Sequence, residues 1–290
     1  MREFCGYCRM CISAVESLRF CRLEKTSAMK FETILTETAD RSTSIVLNRP
    51  QAKNSLSRLM LDELHEAIRE CEARPGCQTI LLKGSREFFC TGMDFQEAVA
   101  QFGRAADSGG EEALNRLYID LLSKISNSSC IVISVVEGVA MAGGIGLVAS
   151  SDLVVASETA RFSLSEALWG LLPAMVLPYL IRRTGFQPAF RMTLTTESIT
   201  AEAAAAFHLV DELTDNTERK IKQLQTRLNR LNKETIKDLK TYFKRQLYPI
   251  TNQQEHAAVM ETTRLTRSER VQSGIRNYLE HEIFPWERPS

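Results

Sequence analysis

Apolar and polar positions divide the chain into short strand-like runs and longer helix-like ones. Residues 33–38 and 43–47 read as strands and 57–73 as a helix, and the apolar run 79–83 is a further strand. A glycine turn at 88–94, a helix over 96–104, a small polar loop at 105–110 and a helix over 111–125 follow. Ile131-Val132-Ile133-Ser134-Val135-Val136 is short, apolar and rich in β-branched residues, the pattern of a buried parallel strand. It ends at Gly138, and Ala142-Gly143-Gly144 opens a small-residue helix over 145–150. A strand at 153–156 and the run 161–166 complete another unit. Repeated strand–helix units argue for right-handed crossovers and a mostly parallel sheet, so the fold class is α/β. Beyond Pro173 the pattern turns helical at 176–184, 187–194 and 201–207, with a short strand at 209–213. From residue 216 the chain is charged, amphipathic and almost glycine-free up to Gly274, which predicts a C-terminal helical subdomain.

The 290 residues suffice for a sizeable core, and 44% hydrophobic with 25% charged residues is ordinary for a globular protein. A formal net charge of zero gives no reason to expect a nucleic-acid or membrane partner, and no apolar run approaches the roughly 20 residues that span a bilayer. The expectation is a cytoplasmic protein. Of eight cysteines, Cys5, Cys8, Cys11 and Cys21 crowd the first 21 residues, and Cys71, Cys77, Cys90 and Cys130 are scattered. Scattered thiols suit a reducing compartment. Cys5-x2-Cys8-x2-Cys11 has ligand-like spacing, but no histidine or second pair closes a site, so no metal is expected. Residues 1–28 carry no clear period and read as a disordered, dispensable extension ahead of a start at Met29; 29–214 form the core domain and 215–290 the helical subdomain.

The chemistry begins with two turns. Phe88-Phe89-Cys90-Thr91-Gly92-Met93-Asp94 and Gly138 to Gly144 each carry the chain from a strand through glycine into a helix. Such turns leave unpaired N–H groups, and two of them aimed at one point make an oxyanion hole. Glu166 is the candidate acid/base: Ser163 or Ser165 can cap a helix starting there, and Phe162, Leu164, Leu168 and Trp169 can desolvate its carboxylate. A first-turn glutamate that only stabilises a helix dipole is the alternative.

At these two turns the sequence resembles the crotonase (enoyl-CoA hydratase/isomerase) superfamily over roughly residues 30–285. The resemblance implies a crotonase core, a ClpP-like ββα spiral, with a C-terminal α-helical subdomain that packs across the site and supports a homotrimer or dimer of trimers. It assigns the oxyanion amides to Met93 and Gly143, with Gly92, Gly144 and Trp169 against the substrate. It assigns the turn at Gln51 and Ala52 to the nucleotide end of coenzyme A. Ser165-Glu166-x3-Gly170-x2-Pro173 matches the second catalytic glutamate of hydratases, which favours Glu166 as acid/base. The first catalytic glutamate is absent, since its position is Gly146; Glu137 is acidic but structural in the family. Gly146 therefore reads as a void beside the acyl chain that a branched substrate fills.

The run from Phe162 to Arg183, the Ala-Gly-Gly-x-Gly turn and the Phe284-Pro285-Trp286-Glu287 end are similar to the PksH-type dehydratases of polyketide β-branching (HMG-CoA synthase cassette) pathways. That resemblance implies dehydration of 3-hydroxy-3-methylglutaryl-thioester on an acyl carrier protein, with no cofactor beyond the phosphopantetheine or CoA thioester of the substrate. The partner decarboxylases of those cassettes carry Tyr and Lys where this chain has Glu97 and Gln101, which disfavours their reaction here. Arg182-Arg183 is the nearest basic pair to Glu166 and a candidate for the substrate carboxylate, with a solvated helix face as the alternative. An enoyl-CoA hydratase/isomerase of acyl-CoA catabolism and a non-catalytic crotonase-fold scaffold are the competing readings.

Overall fold

A computed structural model describes residues 31–101 and 110–287. The expected extension at 1–28 and most of the expected loop at 105–110 lie outside the described residues.

The chain opens with an antiparallel hairpin, β1 (Ile34–Ala39) and β2 (Ser42–Leu47). Thr43, Ile45 and Leu47 face inward and their neighbours face out, the period of two that a half-buried strand requires. Ser57 caps α1 (Arg58–Ala73) by accepting from the Met60 N–H. Three units of the form strand, strand, helix then follow. The first is β3 (Thr79–Lys83), β4 (Phe88–Cys90), α2 (Phe95–Gln101) and α3 (Gly110–Asn127). The second is β5 (Ile131–Val136), β6 (Val139–Met141) and α4 (Gly143–Ser150). The third is β7 (Leu153–Ser157), β8 (Arg161–Ser163), a 3-10 turn (Glu166–Trp169) and α5 (Leu177–Thr184).

The first strand of each unit enters a six-stranded sheet of order β1-β2-β3-β5-β7-β10, parallel apart from the hairpin. The second strand enters a smaller sheet, β4-β6-β8-β9, in which only β9 runs antiparallel. A sharp corner separates the two sheets, and Gly138 makes one such corner, where a Cβ would lie 2.3 Å from the Glu87 carbonyl oxygen. β5 is buried at all six positions, as expected for a strand covered on both faces. Each of its aliphatic side chains contributes about 1.5–3 kcal/mol of burial.

The chain continues through α6 (Phe186–Thr195), β9 (Ile199–Thr200), α7 (Ala201–Ala206) and β10 (Glu212–Thr214). The strand expected at 209–213 therefore begins later, because Leu209 and Val210 enter the core and Asp211 accepts from the Val154 N–H. Then come α8 (Thr217–Leu228), α9 (Lys233–Thr241), a π-helical turn (Tyr242–Leu247), α10 (Asn252–Thr266) and α11 (Glu269–His281). α10 lies along α3, and its Ala258 and Val259 enter the main core. Asp152 binds this C-terminal region to the sheet, accepting from Lys240 Nζ at 2.7 Å, from Lys244 Nζ and from the Val132 N–H at 2.8 Å. Among the described residues no helix is long and apolar enough to cross a membrane.

Candidate active site

Strand register creates the site. In the smaller sheet Cys90 pairs with Ala140 and Met141 with Ser163, so the C-terminal ends of β4, β6 and β8 lie side by side. Met93, Gly143 and Glu166 each follow one of those ends by two or three residues.

Both glycine turns are tightly held. Gly92 has φ +87°, a conformation that L side chains rarely adopt, and a Cβ there would lie 2.9 Å from the Gly143 nitrogen. The Met93 and Gly143 nitrogens are therefore within about 7 Å of each other, which brings the two turns to one end of the site. Leu56 bridges Met93 through the Gly92 carbonyl and the Asp94 N–H, which turns the Met93 N–H to the opposite side. Gly143 is the first residue of α4, so its N–H has no partner within the helix. Ala142 precedes it at φ 50°, ψ −121°, a strained position for a residue with a Cβ, held by a hydrogen bond from its N–H to the Ser163 carbonyl. Asp94 secures the first turn from below: it pairs with Arg49 at 2.8 Å and accepts from the Gln96 and Glu97 N–H groups. Glu97 accepts from the Arg58 N–H, so the two helix starts are tied together.

A cavity of about 650 Å³ opens over these turns, lined by Met93, Ala142, Gly143, Tyr118 and Glu166 on one side. Glu166 is the only carboxylate among its described lining residues, and Lys53 the only cation. The Glu166 Oε2 atom is buried without a hydrogen-bond partner. Burial raises its pKa to about 7, against the opposing pull of its own and the Ser165 backbone N–H groups. Ser165 occupies the capping position but makes no side-chain cap, and Ser163 Oγ is buried and unpartnered, so neither expected cap forms. A short 3-10 turn replaces the expected helix start, with Gly170 terminating it in the left-handed region.

Trp169 lines the cavity from the end of that turn. Its ring meets Phe95 at 4.7 Å and Tyr278 at 5.3 Å, both edge-on, and lies 6.0 Å from Trp286. Four separate segments thus build one aromatic wall, with α10 adding Thr262 and Thr266.

Not every expected position lines the cavity. Gln51 and Ala52 form a 3-10 turn with Pro50 outside the cavity lining, and Lys53 reaches it instead. Gly92 and Gly144 sit behind the lining, since a Cβ on Gly144 would strike the Cys90 carbonyl oxygen at 2.3 Å. The void expected at Gly146 is filled: a Cβ there would lie 2.0 Å from Tyr118 Oη. Tyr118 donates to the Gly143 carbonyl at 2.6 Å. Sequence reasoning passed over it as one residue of a helix, and only its inward phase along α3 marks it. Neither reading of Arg182-Arg183 holds. Arg182 donates to Ser126 Oγ at 2.7 Å, and Arg183 donates to the Leu209 and Ser151 carbonyls and pairs with Asp211, so both serve packing. Glu137 accepts from Thr217 Oγ1 at 2.6 Å, tying α8 to the core. Among the described residues, Cys71, Cys77, Cys90 and Cys130 are free buried thiols, and no group of three potential ligands is placed to hold a metal ion.

The paired-sheet spiral is the crotonase fold. Residues 39–289 match the enoyl-CoA hydratase/isomerase family, and the chain belongs to it. The bacillaene synthase dehydratase PksH of Bacillus subtilis is 35% identical over 249 residues, which cover 84% of this chain and 92% of that protein. A Bacillus subtilis crystal structure described as a polyketide biosynthesis enoyl-CoA hydratase superposes with a TM-score of 0.79 at 31% identity, over 88% of this chain and all of that one. The enoyl-CoA hydratase EchA19 of Mycobacterium tuberculosis is 30% identical over 66% of this chain and 71% of its own. The chain is an enzyme of the hydratase/dehydratase type.

Proposed function

We propose that this enzyme dehydrates 3-hydroxy-3-methylglutaryl-thioester, carried on an acyl carrier protein, to 3-methylglutaconyl-thioester. The thioester carbonyl oxygen sits between the Met93 and Gly143 N–H groups, which stabilise the negative charge that develops there. Glu166 takes the α-proton, and the C–H electron pair moves into the enolate. The enolate then re-forms the carbonyl and expels the β-hydroxyl, while Glu166 returns the proton so that water leaves. One carboxyl group serves as base and then as acid, and no external cofactor is consumed. A pKa near 7 suits both roles at neutral pH. The assembly is a cytoplasmic homotrimer or dimer of trimers in this reading.

The observation that carries it is Glu166: a carboxylate with one buried, unpartnered oxygen and no side-chain partner, the only one among the described residues lining the cavity that Met93 and Gly143 also line. The 35% identity to a dehydratase of bacillaene synthesis supports the substrate. Mass spectrometry of 3-hydroxy-3-methylglutaryl-carrier protein incubated with the enzyme tests it; loss of one water is expected, and an inert substrate with folded enzyme overturns it. The 30% identity to EchA19 favours a second reading, hydration of enoyl-CoA. Strong turnover of crotonyl-CoA would select that one.

A further inference from the structure

The environment of Tyr118 carries an assignment beyond the acid/base and the two amides. α3 brings its phenol, 7% exposed, into the cavity lining beside the start of α4. The phenolic oxygen lies where a side chain at position 146 would begin, 2.0 Å from a Cβ there, and 3.4 Å from a Cβ at Gly143. Its hydrogen is committed to the Gly143 carbonyl at 2.6 Å. What the oxygen can still offer is lone pairs, so toward a ligand it acts as an acceptor only. Burial, with the nearby Cys90 and Glu166 next in effect, holds the phenol well above its ordinary pKa, so it stays neutral at working pH.

We propose that Tyr118 is the specificity-determining residue for the β-position of the acyl chain, its phenolic oxygen accepting a hydrogen bond from a β-hydroxyl. The ligand class is a 3-hydroxyacyl thioester, and a thioester without the hydroxyl gains nothing from this oxygen. The Gly143 hydrogen bond fixes the direction of the lone pairs. Glycine at 146 is then required to seat the phenol rather than to leave space for the substrate. The inference rests on the dehydratase reading only in taking the ligand to be a β-hydroxyacyl thioester.

The test removes the hydroxyl from each partner in turn. Full-length Glu166→Gln protein, chosen to prevent turnover, is titrated calorimetrically with 3-hydroxy-3-methylbutyryl-CoA and with 3-methylbutyryl-CoA, which differ by that hydroxyl alone. With Tyr118 present the hydroxy ligand should bind about five- to tenfold more tightly, the worth of one good hydrogen bond. In Glu166→Gln/Tyr118→Phe the preference should shrink to about twofold or less, while affinity for the deoxy ligand holds. A merely structural tyrosine would weaken both ligands equally. If Tyr118→Phe does not fold, Gly146→Ala supplies the same readout, because its methyl group displaces the phenol. An undiminished preference in the variant, equal affinities with Tyr118 present, or no binding of either ligand overturns the assignment. Failure of 3-hydroxy-3-methylglutaryl-carrier protein to lose water would overturn the proposed reaction and leave a hydroxyl-dependent preference standing.

Discussion

Two half-buried acids with desolvated carboxylates, Asp152 and Glu166, are placed by the same β7–β8 unit and have opposite surroundings. Burial opposes ionisation of both. At Asp152 the charges of Lys240 and Lys244 overcome that penalty and bring the pKa below its ordinary value. At Glu166 only backbone N–H groups oppose it, and the pKa rises to about 7. Asp152 spends its charge on holding the C-terminal helices to the sheet. Glu166 lines a cavity and keeps one buried oxygen unsatisfied, which is a cost to the fold and an asset to a proton-transfer site. Partners, rather than depth, separate the structural acid from the proposed acid/base.

The contrast is open to direct attack. The largest effect should come from Glu166→Gln, which removes the proton carrier and should lower initial rates of water loss by about 10³-fold. Asp152→Asn should cost about 3–5 kcal/mol in urea unfolding, because two lysines are left without their counter-charge. Turnover per folded molecule should hardly change in that variant. Third, Glu166→Gln should raise unfolding stability at pH 8 by up to about 3–4 kcal/mol, following from a folded pKa near 7 against an ordinary 4.5. The sign is set by proton binding. Between those two values the folded state holds more protons than the unfolded chain, so the native protein loses stability as pH rises through that window. Asp152 has the opposite sign, with its contribution present above 3.8 and lost as pH falls through its lower folded pKa. If Glu166→Gln instead destabilised the protein at pH 8, the carboxylate would have a structural partner and the contrast would collapse. The smallest effect is on the pH profile: kcat/KM should rise about tenfold from pH 6 to pH 8 as Glu166 loses its proton. A flat profile would remove it as the base.

Gly146 shows why one class of expectation went astray. Read along the chain, a glycine where relatives carry a side chain suggests space. In the folded protein that space belongs to Tyr118, which is 28 residues earlier and on another helix. The basic pair Arg182-Arg183 misled for the same reason, since proximity to Glu166 in sequence did not bring either guanidinium into the cavity.

The chain's own pattern determined the α/β class, the buried central strand and the two glycine turns, because each depends on local periodicity or on backbone freedom at a particular residue, whereas Glu166 stood out only through the resemblance of Ser165-Glu166-x3-Gly170-x2-Pro173 to hydratases. Tertiary structure alone decided that β4, β6 and β8 align their ends, that Phe95, Trp169, Tyr278 and Trp286 form one wall, and that a phenol fills the place beside Gly146. It also decided that Asp152 has two lysine partners and Glu166 has no side-chain partner. Those outcomes depend on which distant side chains share a small volume, and close packing settles that only once every element is in place.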